Sequence, residues 1–376
     1  MLERKKYGAE KICRFKPGKV MSLKKLRKKI DGTDKKLLSL LNKRAGLALQ
    51  VKKHKPCAGG HEVYVPEREA AVFEKILAGN KGPFPDNSVK AVFKEIVSAS
   101  RALQAPLKIA YWGPEATFTH LAALRHFGSS VKLVAIKNLS DIFAEVENGR
   151  VDFGVIPIEN STEGVVNHTL DIFVDSDLKI CAETLLKVSY NLLSKAKKLS
   201  QIKRIYAFSQ PLAQCRNWIK TNLPEVEIVE AKNTAESARF AAKDKNSAAI
   251  ANSLAGEIYV LNSLAVRIED IPDNVTRFLI IGRKNVAKTG NDKTSVLVSL
   301  KDKVGALYSM LLPFKKQGIN LTSIESRPSR KKAWEYYFFI DMSGHVEDLK
   351  VKKALAALQK ECRYFKVLGS YPAEKN

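Results

Sequence analysis

The feature that most constrains this 376-residue chain is a long apolar stripe near its N-terminus. Apolar residues recur there at spacings of three, four and seven, the period of one helix face. The stripe consists of Leu23, Leu26, Ile30, Leu37, Leu41, Ala48 and Val51. The pattern predicts one helix over about residues 22–54, ending at Lys55-Pro56. Such a long helix cannot bury its stripe within a small unit, so we expect it to pair with a second copy of the chain.

Two shorter helices are predicted after it, over residues 66–78 and 88–104. From Ala105-Pro106 the pattern changes to short apolar strands that alternate with helices, which is typical of a parallel α/β sheet. The alternation restarts at Lys187 and ends in a strand over residues 276–282. This predicts two α/β lobes, with the chain returning to the first lobe.

A polar stretch after residue 282 leads to a final segment with a different order of elements. Its hydrophobic pattern predicts strand, helix, strand, strand, helix and strand. The order βαββαβ is that of a ferredoxin-like domain.

Positive charge is concentrated near the N-terminus. The net charge is +25, and residues 1–60 hold 19 Lys and Arg against 4 Asp and Glu. Such a block can be a nucleic-acid-binding arm or the solvated face of an amphipathic helix. Many of the lysines lie on the predicted helix, and aromatic residues are not interleaved with them. We therefore predict no nucleic-acid partner.

Cysteine spacing and hydropathy exclude further classes. The five cysteines form no CxxC motif or Cys/His cluster, so we predict free thiols and no metal site. Cys215 has no histidine near it in sequence, which favours a buried thiol over a nucleophile. No apolar run approaches the roughly 20 residues of a membrane span. The N-terminus lacks the apolar segment of a secretory signal, so a cytoplasmic location without membrane association is expected.

Several polar residues of the helical region could bind a small anion. Arg44 and Lys55 lie within about 20° of one helix face and roughly 16 Å apart along it, so both could bracket an anion. Ser100 and Gln104 are one turn apart and present a hydroxyl and an amide side by side. Each could equally be an ordinary solvated side chain.

Residues 23–104, with LKKLRKKIDGTDKKLLSLLNKR, PERE and SASRALQ, resemble the all-helical chorismate mutase family. The resemblance implies that Lys55 and Gln104 are catalytic and that the counterpart of Arg27 comes from the partner chain. Rearrangement of chorismate to prephenate needs positioning and stabilisation of developing negative charge, which these residue types supply. Val65 stands where many relatives place an acidic residue. The implied substrate-binding residues are Arg27, Arg44, Lys55, Glu69, Ser100 and Gln104.

Three segments of the α/β region carry polar residues at strand or helix ends. GPEATFT at residues 113–119 and IPIENSTEGVV at 156–166 each follow a strand, where capped helix N-termini can bind carboxylates. Capped turns of this kind also occur in any α/β protein. At residues 274–282 Thr276 and Arg277 place a hydroxyl and a cation at the start of a strand.

Together with QPLAQC, these motifs make residues 107–283 resemble prephenate dehydratase. The resemblance implies a two-lobed α/β domain like a periplasmic binding protein, with the site in the cleft. It implies that Thr276 is catalytic and that Arg277 binds a substrate carboxylate. Loss of carbon dioxide and the ring hydroxyl would then be assisted by an acid. The implied substrate-binding residues are Thr117, Asn160, Ser161, Gln210, Arg277 and Phe278.

Two departures from the family pattern leave alternatives open. Ala207-Phe208 stand where the family commonly has Ser-His, and Tyr190 replaces a family histidine. If these positions contact substrate, the enzyme could act on arogenate, the aminated relative of prephenate. A non-catalytic amino-acid sensor is the alternative from another class.

VGALYSML at residues 304–311 and SIESRPS at 323–329 resemble the ACT regulatory domain. The resemblance implies a phenylalanine site between two such domains, and feedback inhibition by coupling to the distant cleft. Gly305 begins a helix, where a ligand could approach the backbone closely. The implied site residues are Gly305, Ala306, Leu307, Asn320, Glu325, Ser326, Arg327 and Pro328.

These observations predict a bifunctional enzyme of phenylalanine biosynthesis. Its domains would be a basic extension over residues 1–21, a helical mutase over 22–105, a dehydratase over 106–284 and a ferredoxin-like ACT domain over 292–376. Chorismate and prephenate are the expected substrates, and phenylalanine is the expected inhibitor. We expect a homodimer or higher homo-oligomer, without metal or organic cofactor.

Overall fold

The computed structural model describes residues 21–54, 64–329 and 335–374. Nearly all of the predicted basic extension, and Lys55 of the predicted mutase site, lie outside these residues. The chain divides into two units, one holding the N-terminal helix and the other beginning at Pro56.

The N-terminal unit contains α1 (Leu23–His54), which matches the helix predicted from the apolar stripe. Lys52, Lys53 and His54 lie in its last turn, where cations interact favourably with the helix dipole. None of the side chains of α1 is buried. No helix in the described parts of the chain is long and apolar enough to cross a membrane.

The second unit begins with α2 (Pro66–Gly79) and α3 (Asp86–Gln104), which confirm the two shorter helices. Pro66 lies at the start of α2, where its missing N–H costs no hydrogen bond. Both helices pack on the α/β region that follows. The Tyr64 ring meets the Phe127 ring edge to face, and Arg101 donates to the Phe127 carbonyl.

The first lobe starts with an alternation of strands and helices. Its elements are β1 (Lys108–Trp112), α4 (Phe118–Phe127), β2 (Lys132–Ile136), α5 (Leu139–Glu147), β3 (Phe153–Asn160), β4 (Gly164–Val165), α6 (Asn167–Asp175) and β5 (Lys179–Lys187). The prediction did not include β5.

The second lobe has a five-stranded sheet of order β10-β6-β9-β7-β8. The pattern of residues 210–222, QPLAQCRNWIKTN, predicts one helix, but the structure divides it at Cys215, whose φ of −115° is not helical. The elements are β6 (Asn191–Ser194), a 3₁₀ turn (Leu199–Gln201), β7 (Arg204–Ala207), α7 (Ser209–Gln214), α8 (Arg216–Asn222), β8 (Glu227–Glu230), α9 (Thr234–Ala241), β9 (Ser247–Ala251), α10 (Ser253–Tyr259) and β10 (Asn262–Ala265).

The chain then returns to the first lobe as β11 (Val275–Gly282), which confirms the two-lobed prediction. The first sheet has the order β2-β1-β3-β11-β5, with β4 beside β3. The predicted parallel pairing is confirmed for β1, β2 and β3, whereas β11 runs antiparallel to both β3 and β5. It enters from the other lobe instead of through a crossover helix. This places β11 in the middle of the sheet, between two strands that end where the lobes meet.

The C-terminal domain has the predicted βαββαβ order. Its elements are β12 (Asp292–Leu300), α11 (Ala306–Gln317), β13 (Leu321–Pro328), β14 (Tyr336–Ser343), α12 (Leu349–Glu361) and β15 (Cys362–Pro372). They form an antiparallel sheet of order β13-β14-β12-β15.

The C-terminal domain shares a hydrophobic core with the first lobe. One face of its sheet is covered by α11 and α12, whereas Leu297, Phe339 and Leu368 of the other face pack with Ile180 and Leu279 of the first lobe. Strands β15 and β5 cross closely. A Cβ on Gly369 would lie 2.3 Å from the Ile180 carbonyl oxygen, so only glycine fits at this crossing.

Candidate active site

Asn160 and Thr276 meet at the ends of two paired strands. They are direct partners in the register of β3 and β11. The Asn160 Nδ2 atom lies 2.7 Å from Thr276 Oγ1 and 2.7 Å from Asn274 Oδ1. Asn160 Oδ1 accepts from the backbone N–H groups of Thr162 and Glu163 at 3.0 and 2.9 Å. The turn after β3 therefore holds the Asn160 side chain in one orientation.

This orientation determines what the Thr276 hydroxyl can do. The oxygen of the Asn160 amide faces two N–H donors, so its nitrogen must face Thr276 and donate to it. The Thr276 oxygen consequently accepts, and its own proton is available to another acceptor. The residue is 9% exposed, which leaves the hydroxyl in a largely desolvated position.

A hydrogen-bonded chain extends from this pair across the two lobes. Asn274 Nδ2 donates to Gln214 Oε1 at 2.9 Å, and Gln214 Nε2 donates to Glu163 Oε1 at 3.1 Å. Gln214 ends α7 of the second lobe, whereas Glu163 belongs to the first. Gln214, Asn274 and Glu163 were not among the site residues predicted from the sequence. All three lie within the predicted motifs, close in sequence to Cys215, Thr276 and Asn160.

A second contact between the lobes involves the loop before α4. Thr117 caps that helix by accepting from His120 N–H at 3.3 Å, and its hydroxyl lies 3.0 Å from the Pro114 carbonyl oxygen. Asn252 of the second lobe donates to the Ala116 carbonyl at 2.9 Å. The structure thus places Thr117 beside a lobe contact and gives it the role of a helix cap.

The other predicted cleft residues lie in different surroundings. Ser161 accepts from Val275 N–H at 2.9 Å and so ties the turn after β3 to β11. Gln210 lies in the first turn of α7 and is half-buried. Phe278 is 1% exposed within the core of the first lobe, so the structure contradicts a direct contact of its ring with substrate.

Arg277, predicted to bind a substrate carboxylate, lies on the face of β11 opposite Thr276. Neighbouring residues of a strand point to opposite faces, and Arg277 points away from Thr276 towards the C-terminal domain. Its guanidinium lies 2.8 Å from Glu183 Oε2 and 2.5 Å from Asp341 Oδ2. Burial opposes its charge, but Tyr371, Asp341 and Glu183 together raise the pKa of Arg277 above its ordinary value.

Of the positions that depart from the family pattern, Ala207 and Tyr190 are buried in the second lobe and Phe208 is half-buried. Ala207 is 0% and Tyr190 is 3% exposed, and the Tyr190 ring meets the Phe118 ring edge to face at 5.4 Å. Cys215 is a buried free thiol, and burial raises its pKa above the ordinary value. These positions therefore shape the lobe interior, and Cys215 is not an activated nucleophile.

Three protein families match successive parts of the chain. They are chorismate mutase type II over residues 26–105, prephenate dehydratase over 109–286 and the ACT domain over 294–359. A bifunctional chorismate mutase/prephenate dehydratase from Aquifex aeolicus is 47% identical over 354 residues, covering 93% of this chain and 98% of the relative. The chain belongs to this bifunctional family. The predicted pairing of a mutase with a dehydratase is confirmed.

Solved structures resemble the dehydratase and ACT regions. Prephenate dehydratase from Arthrobacter aurescens, in complex with L-Phe, is 37% identical with a TM-score of 0.65 and covers 71% of this chain and 90% of its own. A structure described as the quorum-quenching acylase GqqA has the same TM-score at 27% identity, covering 71% of this chain and 98% of its own. The fold alone therefore does not decide the chemistry.

The residues predicted for the mutase site fall in both units. Arg27 and Arg44 lie on α1. On the second unit, Glu69 lies 2.9 Å from Arg101, and burial raises the Glu69 pKa although Arg101 opposes the shift. Ser100 Oγ donates to the Ile96 carbonyl at 2.7 Å, and Gln104, one turn further on, is half-buried.

The predicted phenylalanine site of the ACT domain lies partly on an exposed surface. Gly305 caps α11 with a φ of 76°, a conformation that favours glycine. Ala306 and Leu307 follow it, and Leu307 is 54% exposed. Asn320 precedes β13, in which Ser326 and Pro328 are exposed.

The other residues of the ESRP motif point to the opposite face of β13. Arg327 pairs with Asp171 of α6, with Nη2 2.6 Å from Oδ2. The Glu325 side chain shares this face with Arg327, because alternate residues of a strand point the same way. The structure therefore contradicts a direct contact of the Arg327 side chain with a ligand on the exposed face. The whole ESRP motif belongs to strand β13.

Proposed function

We propose that Thr276 assists the departure of the ring hydroxyl from prephenate. The observation that carries this proposal is the orientation of Asn160, which makes the Thr276 oxygen an acceptor and leaves its proton to be donated. As carbon dioxide leaves, the electrons of its bond to the ring enter the ring and expel the hydroxyl. Donation from Thr276 stabilises that oxygen as it takes a proton and departs as water. The aromatic product is phenylpyruvate.

The neighbours of Thr276 compensate for the poor acidity of an alcohol. The hydrogen bond from Asn160 Nδ2, at 2.7 Å, stabilises negative charge that develops on the Thr276 oxygen. We further propose that Gln214, Asn274 and Glu163 keep the lobes in the arrangement that Asn160 requires. Thr117, Ser161 and Gln210 remain predicted substrate-binding residues, whereas we propose a positioning role for Arg277 and a packing role for Phe278.

The experiment is phenylpyruvate formation from prephenate by the full chain, with Thr276→Ala and Thr276→Ser beside the parent. We expect Thr276→Ala to lower kcat about 100-fold or more and Thr276→Ser to retain much of the rate, because it keeps the hydroxyl. Mutase activity on chorismate is the internal control for folding. Equal turnover by Thr276→Ala and the parent would refute the proposal. No turnover by a parent that still rearranges chorismate would favour a sensor.

Prephenate is the preferred substrate in this proposal, and arogenate is the alternative. Tyr190 and Ala207 are buried at 3% and 0% exposure, so these two departures alter packing inside the second lobe. Their burial supports prephenate, because neither side chain is placed to recognise an added amino group. The half-buried Phe208 ring has no hydrogen-bonding atom with which to recognise one. Comparison of kcat/KM for the two acids tests this preference.

We propose that chorismate binds the mutase domain through Arg27, Arg44, Lys55, Glu69, Ser100 and Gln104. Lys55 and Gln104 would stabilise the negative charge that develops on the ether oxygen during the rearrangement. The ion pair of Glu69 with Arg101 supports a fixed position for its carboxylate. Loss of mutase activity in Gln104→Ala with unchanged dehydratase activity is the expected result.

We also propose that the enzyme is at least a homodimer formed through α1. The apolar stripe of that helix has no buried member within the single chain. A second copy would cover both stripes, and the family resemblance implies that Arg27 then reaches the partner's mutase site.

Phenylalanine is proposed to inhibit the dehydratase by binding between two ACT domains. Gly305, Ala306, Leu307 and Asn320 of one copy would face the exposed side of β13. The apolar residues Val304 and Tyr308, 104% and 68% exposed, support a partner surface at the start of α11. The phenylalanine concentration that halves dehydratase activity, compared between the parent and Leu307→Glu, tests this site.

The cytoplasmic location stays a prediction.

A further inference from the structure

Strand β11 carries polar side chains on both faces. Thr276 meets Asn160 on one face, whereas Arg277 meets the ACT domain on the other. The Arg277 nitrogens use three partners: Nε donates to Glu183 at 2.8 Å, Nη1 to Asp341 at 2.5 Å and Nη2 to the Tyr371 hydroxyl at 2.9 Å. The guanidinium is therefore already committed to protein groups.

Further bonds join these partners into one network. Lys293 of β12 lies 2.9 Å from Glu183, whose side chain is 0% exposed. Ser295 of β12 donates to Asp341 at 2.5 Å and lies 2.8 Å from the Tyr371 hydroxyl. A substrate carboxylate that displaced Asp341 or Glu183 from Arg277 would leave a buried charge uncompensated. The network thus supports a structural link between β11 and the ACT sheet.

A second arginine links the ACT sheet to the segment that follows Asn160 in the sequence. Arg327 of β13 binds Asp171 of α6 with two nitrogens. Helix α6 begins at Asn167, directly after the turn that holds Asn160. Both the strand of Thr276 and the segment after Asn160 are thereby attached to the ACT domain.

We propose that Arg277 is a positioning residue, held by Asp341, that sets the placement of Thr276 against Asn160 from the ACT side of the sheet. A ligand on the ACT domain acts on the dehydratase through this contact. The inference rests on the proposed dehydratase role of Thr276. A positioning role differs from a substrate-binding role, because it requires that loss of Asp341 lower kcat as much as loss of Arg277.

The test compares Asp341→Asn, Arg277→Lys and the double variant in the full chain, with Glu225→Gln, an exposed carboxylate of the second lobe, as the matched control. We expect either single change to lower kcat for prephenate about 5- to 20-fold and to leave KM within about twofold. The double variant should be no worse than the more impaired single one, because the two residues act as a unit. Glu225→Gln should match the parent.

A second measurement separates positioning from loss of structure. For Asp341→Asn, calorimetric affinity for phenylalanine should stay within about twofold, while saturating phenylalanine should leave about fivefold more activity uninhibited than in the parent. A tenfold rise in KM for Arg277→Lys beside a parent-like Asp341→Asn would overturn the inference in favour of substrate binding. A parent without activity on prephenate would instead refute the proposed function. Mutase activity verifies folding in every case.

Discussion

At the scale of single residues, the direction of one amide decides the chemistry of the site. Two backbone N–H groups orient the Asn160 oxygen, so its nitrogen donates to Thr276. The motif predicted that both residues are close to substrate. It could not predict the donor–acceptor order, because that order depends on the turn after β3 and on the strand register.

Asn160→Asp provides a residue-scale prediction. The carboxylate can still accept from Thr162 and Glu163, but it presents a second acceptor to Thr276 in place of a donor. The Thr276 proton should then point inward, and kcat for prephenate should fall about 100-fold. The matched change is Asn262→Asp, at an exposed asparagine of the second lobe. Activity within threefold of the parent would show that proton direction is unimportant.

Lys94 of α3 provides a prediction on pH. Its ammonium donates to the Arg125 carbonyl, and burial, with repulsion from Lys90 and Arg125, lowers the Lys94 pKa to about 8 although Glu374 and Glu69 oppose the shift. Between about pH 8 and the unfolded value of 10.5, the folded chain therefore binds fewer protons than the unfolded chain, and stability rises with pH.

The melting temperature of the parent minus that of Lys94→Met should accordingly increase from pH 7 to pH 9.5. Lys75→Met, on an exposed position of α2, is the control. A constant difference across this range would show that Lys94 keeps an ordinary pKa in the folded chain.

At the scale of elements, the close crossing of β15 and β5 joins the ACT domain to the first lobe. A Cβ on Gly369 would meet the Ile180 backbone at 2.3 to 3.1 Å, and strand backbone cannot move aside as a flexible side chain can. Gly369→Ala should therefore separate the strands and destabilise the second unit by about 1–3 kcal/mol.

Thermal unfolding of Gly369→Ala measures this destabilisation. Gly164→Ala is unsuitable as a control, because Gly164 has a φ of 81°, which strains any other residue. Gly82→Ala is the matched control, since no atom lies within 4 Å of the added Cβ. An unchanged melting temperature for Gly369→Ala would mean that the strands are not held at this distance. Loss of phenylalanine inhibition in the same variant is expected, because the ACT contacts with β11 and α6 depend on this docking.

At the scale of the whole molecule, the proposed pairing of two chains through α1 can be tested. Leu37 lies in its apolar stripe, and Ser39 lies two residues on, rotated by about 200°. Leu37→Glu should dissociate the oligomer and lower mutase activity at least tenfold, whereas the dehydratase persists. Ser39→Glu makes the same charge change on the opposite face and should match the parent. Sedimentation velocity of both variants measures their oligomeric state. An intact oligomer with Leu37→Glu would contradict pairing through α1.

The sequence by itself determined the α1 helix, the two lobes and the βαββαβ order, because hydrophobic period is a local property. It also brought Thr276 and Asn160 to notice through their motifs. Only the tertiary structure decided that β11 is antiparallel, that Gln214 and Asn274 complete the hydrogen-bonded chain, and that Arg277 and Arg327 face the domain junction. These facts depend on which face of a strand meets which neighbour, and partners such as Glu183 and Asp341 are far from Arg277 in sequence.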